Sequence, residues 1–399
     1  MGFCIKIDNV DFFSSVEEVP NYIWDSVACS NSYYFNPNYL KALSKHHPKI
    51  QFAYIVLYDD LQNPIAFSAL QIVDFELGSV QNDALFSLEK IKKIAAKVGL
   101  FSFNKPFKIL TCGNVFVSGE HGIYIKENQD KQKVLQQLAN SIVRFSDENN
   151  KLKKGVKAFM LKDFKEVSLQ ASDALYESNY HSFNVDPNMV LTIQEEWKTF
   201  DEYLAAMKTK FRVKAKKALE LSSNLKTIDF DQANLVDHLP EMKVLYQNVS
   251  SKANFNLAHF NIESFKDLKL NLKENFIIKG YFVKDKLVGF LSAMINQNHL
   301  DAHFVGIDYN VNRTFAVYQR MLYDYVQIAI DNQLTHINFG RTASEIKSSI
   351  GAEPENLTIY LRHRNTLPNH LLSHFIDRLQ PSEFSQKFPF KAKSAVAKG

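Results

Sequence analysis

Cysteine is scarce in this sequence: Cys4, Cys29 and Cys112 are odd in number, scattered and without a CxxC pair. Such a set builds neither a disulfide framework nor a structural zinc site, and a reducing cytoplasm is the expected home. Net charge is nearly missing too. A formal +4 over 399 residues excludes the broad basic surface of a general nucleic-acid binder, so any basic docking region must be local. Long apolar runs are absent, none approaching the roughly 18 to 20 residues that span a bilayer. The opening MGFCIKIDNVDFF has no basic stretch ahead of an apolar one, so neither export nor a transmembrane segment is expected. Lys6 stands where myristoylation of Gly2 would need Ser or Thr.

What is present is enough apolar residue, 46% of the chain, for two hydrophobic cores rather than one. A weak internal repeat agrees: Ile65-Ala66-Phe67-Ser68-Ala69 echoes Val288-Gly289-Phe290-Leu291-Ser292-Ala293, and the order of elements around each echo is shared. In the first half, β-branched and aromatic content predicts strands at 52–58 and 64–75 around the turn Asp59 to Pro64. A strand at 107–117, a helix at 130–149, a strand at 156–161 and a short helix at 167–177 follow. In the second half, strands at 226–230, 276–284, 286–297 and 299–307 are predicted, with helices at 236–250 and 261–273. Phe315, Tyr318, Leu322, Tyr325, Val326 and Ala329 recur at spacings of three and four and predict an amphipathic helix over 313–332. A strand His336 to Phe339, a helix opening at Thr342 and a strand Leu357 to Arg362 close the second half.

The expected class is α/β (α+β mixed). Its domains are a first module at 1–185, a crossover strand and basic helix at 186–225, a second module at 226–380 carrying the site, and a flexible tail at 381–399. Pro187 to Trp197 reads as extended, and 200–222 as one long charged helix.

The order β-α-α-β-β-β-α-β-α-β resembles the GNAT fold. The opening pair of helices through Ile23-Trp24-Asp25 and Phe35-Asn36-Pro37-Asn38-Tyr39-Leu40 is similar to the FemAB-like, peptidoglycan-biosynthesis branch of that superfamily. So are the crossover Trp197, Tyr203-Leu204, Lys210-Phe211-Arg212 and the later Phe339-Gly340-Arg341 through Lys347 to Gly351. The resemblance covers nearly the whole chain and implies two tandem GNAT-like modules and acyl or aminoacyl transfer to an amine. It also implies a lysine, Lys347, that approaches the carbonyl under attack. One departure stands out. Acetyl-CoA enzymes of the superfamily carry a glycine-rich turn whose amides cradle the pyrophosphate, whereas this chain reads Gly306-Ile307-Asp308-Tyr309-Asn310-Val311-Asn312-Arg313. The expected co-substrate is therefore acyl-CoA or, in keeping with the missing turn, acyl carrier protein, with aminoacyl-tRNA as the alternative; no tightly bound cofactor is expected. The acceptor would be the amine of a small molecule or lipid precursor, and contact with a membrane surface would be peripheral. A non-catalytic binding module with a degenerate GNAT cleft is the competing reading.

Acyl transfer needs a base for the ammonium and donors for the oxyanion. Along 299–307, alternation puts His299, Asp301 and His303 on one face and Leu300, Ala302 and Phe304 on the other. His303 is the candidate base, because imidazole titrates near neutrality, and Asp301 a candidate substrate contact; an ordinary hydrogen-bonded strand face is the competing reading. The outer histidines would stand about 13 Å apart on a strand, so one metal ion cannot join them. Thr342 and Glu345 match a capping box, while Arg341 and Lys347 would oppose the helix dipole unless an anion compensates. Arg341 and Glu345 join Asp301 as candidate substrate contacts. The run Lys208 to Lys217 is the main charge signal and reads either as a solvated basic helix or as a dock for an acidic partner. Within it Arg212 is a candidate substrate contact; Lys210 and Lys214, with Arg313 further on, are candidate donor contacts.

Overall fold

The computed structural model describes residues 4–7, 9–75, 106–252, 257–376 and 381–391. It is a mixed α/β structure in two compact units. The first comprises the residues up to Asp186, Asn356–Pro381 and a short insert ending at Ser264; the second comprises Pro187–Lys252, Phe265–Glu355 and the segment from Ser382.

The strands are β1 Cys4–Ile7, β2 Val10–Phe13, β3 Gln51–Tyr58, β4 Pro64–Phe75, β5 Phe107–Cys112, β6 Ile123–Ile125, β7 Val156–Lys165, β8 His181–Asn184, β9 Asn188–Thr192, β10 Lys226–Asp229, β11 Phe276–Val283, β12 Lys286–Asn296, β13 His299–Ile307, β14 His336–Asn338, β15 Glu353–Glu355 and β16 Leu357–His363. The first sheet runs β1-β2-β3-β4-β5-β7-β16-β8, with β6 also paired to β4; the second runs β10-β11-β12-β13-β14-β9-β15. Among the described residues only β5–β7 and β13–β14 are parallel pairs. Each sheet thus takes one strand from the other half of the sequence. β16 stands between β7 and β8, and β9 between β14 and β15.

The expected hairpins form for local reasons. At the tip of β3–β4, the Asp59 carboxylate accepts from the amides of Leu61 and Asn63, and Gln62 takes a positive φ of 63°. In the first unit the helix Lys131–Glu148 starts at Asp130, whose side chain accepts from the Lys133 amide, and buries Val134, Leu138, Ile142 and Phe145. Phe145 stacks on Phe12 of β2 at 4.5 Å between ring centroids. In the second unit the helix Val317–Asp331 buries Met321, Leu322, Tyr325, Val326 and Ala329. That core also holds Leu300, Ile337, Met189 and Leu191 from β13, β14 and β9. Each such side chain contributes roughly 1.5 to 3 kcal/mol of burial.

Five local expectations change. Leu357 to Arg362 is a strand, but it pairs antiparallel with β7 and β8 instead of closing the second sheet. Its own pattern sets the extended backbone and does not choose the partner. Pro187 to Trp197 is not merely a crossover, since its β9 is an inner strand of the second sheet. The helix expected at 200–222 is two, Phe200–Ala206 and Thr209–Leu221, because Met207 is extended and bridges to Phe390. The strand from 107 stops at Cys112, where Gly113 takes φ 135°. The helix expected over 313–332 breaks at Ala316, φ 47°, into Tyr309–Phe315 and Val317–Asp331.

The tail is not loose over 382–391. Phe390 packs on Trp197 and Tyr203 at 4.8 and 5.8 Å between ring centroids, and Lys208 donates its amide to the Pro389 carbonyl at 2.7 Å. Residues 392–399 of the expected tail lie outside the described residues. Among the described residues no helix is long and apolar enough to cross a membrane.

Helix Gln232–Ser250 lies so close to β13 that a Cβ on Gly306 would come within 2.8 Å of Leu245 and 2.2 Å of the Phe290 ring. Gly306→Ala is expected to lower stability by about 1 to 3 kcal/mol through overpacking, read from the midpoint of chemical denaturation with an unchanged slope.

Candidate active site

The helix carrying Lys347 is only six residues, Ser344–Ser349. The capping box expected from Thr342 and Glu345 does not form, because Ala343 at φ 57° is the N-cap and the helix starts later. Lys347 therefore lies in the last turn, where the helix dipole favours a cation instead of opposing it, and Arg341 precedes the helix altogether.

Lys347 is 4% exposed. Its amine donates to the Phe339 carbonyl at 2.6 Å and to the Gly340 carbonyl at 3.2 Å, just beyond the end of β14. The Gly340 carbonyl also accepts from the Met189 amide of β9, and Phe339 donates its amide to the Met189 carbonyl at 2.8 Å. Among the described residues the amine meets no carboxylate. Burial without a counter-charge pulls its pKa down to about 7. Beside it, Gly340 has φ 74°, and a Cβ there would meet nothing within 4 Å.

A polar row continues across the strands of this region. Asn338 donates to the Asp301 carboxylate at 2.7 Å, and His299 lies 3.4 Å from the same carboxylate. The His299 ring stacks on His336 with centroids 4.7 Å apart. Asn188, 2% exposed, points its amide toward Asn338 at 3.4 Å and Glu355 at 3.5 Å. Asp301 falls in this row as a satisfied acceptor. Asn188, Asn338 and Glu355 were not signalled by the sequence, because their approach depends on β9 entering the second sheet. Among the described residues no group of three His, Cys, Asp or Glu is arranged to hold a metal.

His303 sits apart from the row. The register of β12 with β13 shifts so that His303 and Phe304 both stand opposite Ser292, whose hydroxyl bonds to the backbone amide and carbonyl of Phe304. This bulge moves Phe304 off the face that simple alternation assigns it. Phe304 packs against Tyr246, and His303 against Phe265, Phe276 and Phe304. Burial drives the imidazole pKa down to about 3, with the Asp301 charge only partly opposing it. Its ring is neutral and weakly basic at pH 7, so its environment does not suit the expected base.

The remaining candidates are spread out. Glu345 is exposed and pairs with Lys387 at 2.8 Å. Arg341 is half-buried in the turn after β14, and Arg212 is half-buried with a guanidinium nitrogen 3.5 Å from the Ala205 carbonyl. Lys210 and Lys214 are exposed on the helix Thr209–Leu221 and, with Lys216 and Lys217, form no ion pair with any described residue. Arg313 is exposed on Tyr309–Phe315. At the start of the helix Val317–Asp331, the Asn312 side chain accepts from the Tyr318 amide at 2.9 Å. Asp308, paired with Lys286 at 2.9 Å, precedes it, and that pairing holds its carboxyl below the usual range.

FemX has the same fold: the two chains superpose with a TM-score of 0.52 over 89% of this chain and 98% of that one, at 11% identity. This is a GNAT-like fold of the FemAB type. L-PGS from Bacillus licheniformis aligns with a TM-score of 0.49 at 9% identity, covering 91% of this chain and 98% of that one. A tandem GNAT protein from the clavulanic acid biosynthesis pathway aligns with 0.47 at 6% identity, covering 80% and 85%. No family model and no curated protein matches the sequence. In GNAT-like terms β3, β4, β5 and β7 of the first unit correspond in order and direction to β11, β12, β13 and β14 of the second.

His303 binds no proton in the folded protein until about pH 3 but titrates at 6.5 when exposed, so the unfolded chain takes up more protons between those values. Stability is thus expected to fall as pH drops from about 6.5 toward 3. His303→Phe is expected to remove much of that fall while leaving stability at pH 7 within about 1.5 kcal/mol, measured by denaturant titrations at pH 7 and pH 5.

Proposed function

We propose that the chain is an N-acyltransferase that moves an acyl group from a thioester to the primary amine of a small molecule or lipid precursor, with Lys347 as the group that accepts the ammonium proton. The observation that carries this reading is a buried lysine bonded only to neutral carbonyls, its pKa drawn to about 7, beside open space at Gly340. A neutral amine there donates its two N–H bonds to Phe339 and Gly340 and keeps its lone pair for a proton. The freed substrate amine attacks the thioester carbon, the new C–N bond forms, the C–S bond breaks, and the proton held by Lys347 passes to the departing thiolate; the lysine, neutral again, takes the second proton that the nitrogen sheds as the amide forms and releases it to solvent. The GNAT-like fold supports the reaction class by analogy.

Two features favour a carrier-borne donor over free CoA. Asn312 already occupies the Tyr318 amide at the start of the helix Val317–Asp331, and the Asp308 carboxylate caps the preceding helix Tyr309–Phe315 by accepting from the Asn310 amide, where the acetyl-CoA enzymes of the superfamily offer bare amides to a pyrophosphate. The exposed lysines of Thr209–Leu221, without ion pairs to described residues, suit an acidic carrier. The same face suits an aminoacyl-tRNA, and the assay separates the two donors.

The protein is to be incubated with acyl carrier protein, acyl-CoA and aminoacyl-tRNA separately, each with a panel of amines, and donor loss and acylated product followed by mass spectrometry. Turnover with the carrier-borne thioester is the expected result; no turnover with any donor sinks the enzymatic reading. Lys347→Met is expected to lower the rate by about 10²- to 10⁴-fold, the usual contribution of a positioned base, and Lys347→Arg not to restore it, since a guanidinium stays charged.

The rate is expected to rise with pH through a midpoint near 7, as the neutral amine becomes the major form. A rate that falls through the same midpoint assigns Lys347 instead to holding the oxyanion as a cation.

A further inference from the structure

We infer that the C-terminal segment Ser382–Lys391 positions Lys347, with Phe390 as its anchor; this rests on the reading of Lys347 as the reactive amine. A helix of six residues whose N-cap makes no side-chain bond cannot hold its own geometry in water. Its order must come from what touches it, and the C-terminal segment meets it at both ends. At one end Lys387 pairs with Glu345 at 2.8 Å, and its amide donates to the hydroxyl of Ser348, the residue after Lys347, at 3.1 Å. At the other, Gln386 donates to the Ala352 carbonyl at 3.0 Å, and Ala352 returns its amide to the Lys347 carbonyl at 3.1 Å.

Phe390 fixes the segment. Its ring lies against Gly351, where a Cβ would stand 2.2 Å from it and where φ is 103°, so glycine is needed on both counts. The ring also packs on Trp197 and Tyr203, and the Tyr203 hydroxyl donates to the Ile350 carbonyl at 2.8 Å. Backbone bonds tie the segment to the helix break before the basic helix: Lys208 to Pro389, Lys391 to Ala206, and the bridge from Met207 to Phe390. Glu345, Ser348, Ile350, Gly351 and Ala352 are thereby held by the segment or by the aromatic group it packs on. The effect is to keep the Lys347 amine on its two carbonyls and away from water.

The test reads Lys347 itself. The full-length protein is labelled competitively with acetic anhydride across pH, and the peptide containing Lys347 is followed by mass spectrometry; the midpoint of labelling gives its ionisation separately from its accessibility. In the unaltered chain the midpoint is expected near 7. Phe390→Ala is expected to raise it by about one unit or more toward the ordinary lysine value of about 10.4, and Phe390→Leu, which keeps an apolar plug, to restore most of the difference. A folded Phe390→Ala protein with an unchanged midpoint overturns the proposal. Should that variant fail to fold, the double variant Gln386→Ala and Lys387→Ala, made at the surface, carries the test on the same terms: an upward shift supports the inference and an unchanged midpoint overturns it. The labelling needs neither donor nor acceptor, so a chain that transfers nothing still tests the segment. An ordinary lysine midpoint in the unaltered chain would instead sink the reading of Lys347.

Discussion

The backbone pairing of β9 with β14 and β15 is the constraint on which the second unit depends. β9 precedes the basic helix in the chain, yet it stands between two strands that come 140 or more residues later. One carbonyl shows why this matters. Gly340 accepts from Met189 on β9 and from the Lys347 amine, so the position of the amine is referenced to a strand from the other half of the sequence. The same pairing brings Asn188 toward Asn338 and Glu355, and it seats Met189 and Leu191 in the core beneath Ile337 and Leu300. Ladder bonds and apolar burial thus hold these residues together on strands instead of a loop.

Desolvation acts on His303 and Lys347 with opposite consequences. His303 begins near neutrality, and burial among three phenylalanine rings takes it down to about 3, where it is inert as a base at pH 7. Lys347 begins at 10.5, and burial brings it to about 7, where both protonation states are populated. One cause, desolvation, makes His303 a poor base and supports the proposed role of Lys347. The β13 bulge belongs to this account, since it turns His303 and Phe304 together toward the helices Gln232–Ser250 and Ser264–Leu272.

What the sequence made legible was local. The hairpins β3–β4 and β11–β12–β13 follow from strand-forming runs separated by polar turns, and the stripe from Tyr318 to Ala329 marks the helix that covers the second sheet. The resemblance that picked out Lys347 rested on a short run after Phe339, and the structure buries that residue. The misreadings share a physical origin in contacts distant along the chain. Leu357 to Arg362 has a strand pattern with no mark of its partner. Phe390 bears no local mark of its seat against Gly351, Trp197 and Tyr203. Met207 ends a helix because Phe390 bridges to it, and Thr342 with Glu345 spells a cap that Ala343 forestalls by turning left-handed one residue later.

The first unit holds a buried lysine as well, and its partners differ from those of Lys347 in one respect. Lys162, 7% exposed, donates to the carbonyls of Asn114 and Val117 at 2.8 and 3.0 Å, much as Lys347 donates to Phe339 and Gly340. It also lies 2.7 Å from the carboxylate of Asp163, which takes φ 70° at a bulge in β7 and accepts from the Gly119 amide. An adjacent carboxylate stabilises the ammonium and holds it there. Lys162 is therefore a pin for the loop between β5 and β6. Lys347 has the carbonyls without the carboxylate, and that difference is what supports the proposal that places the base there.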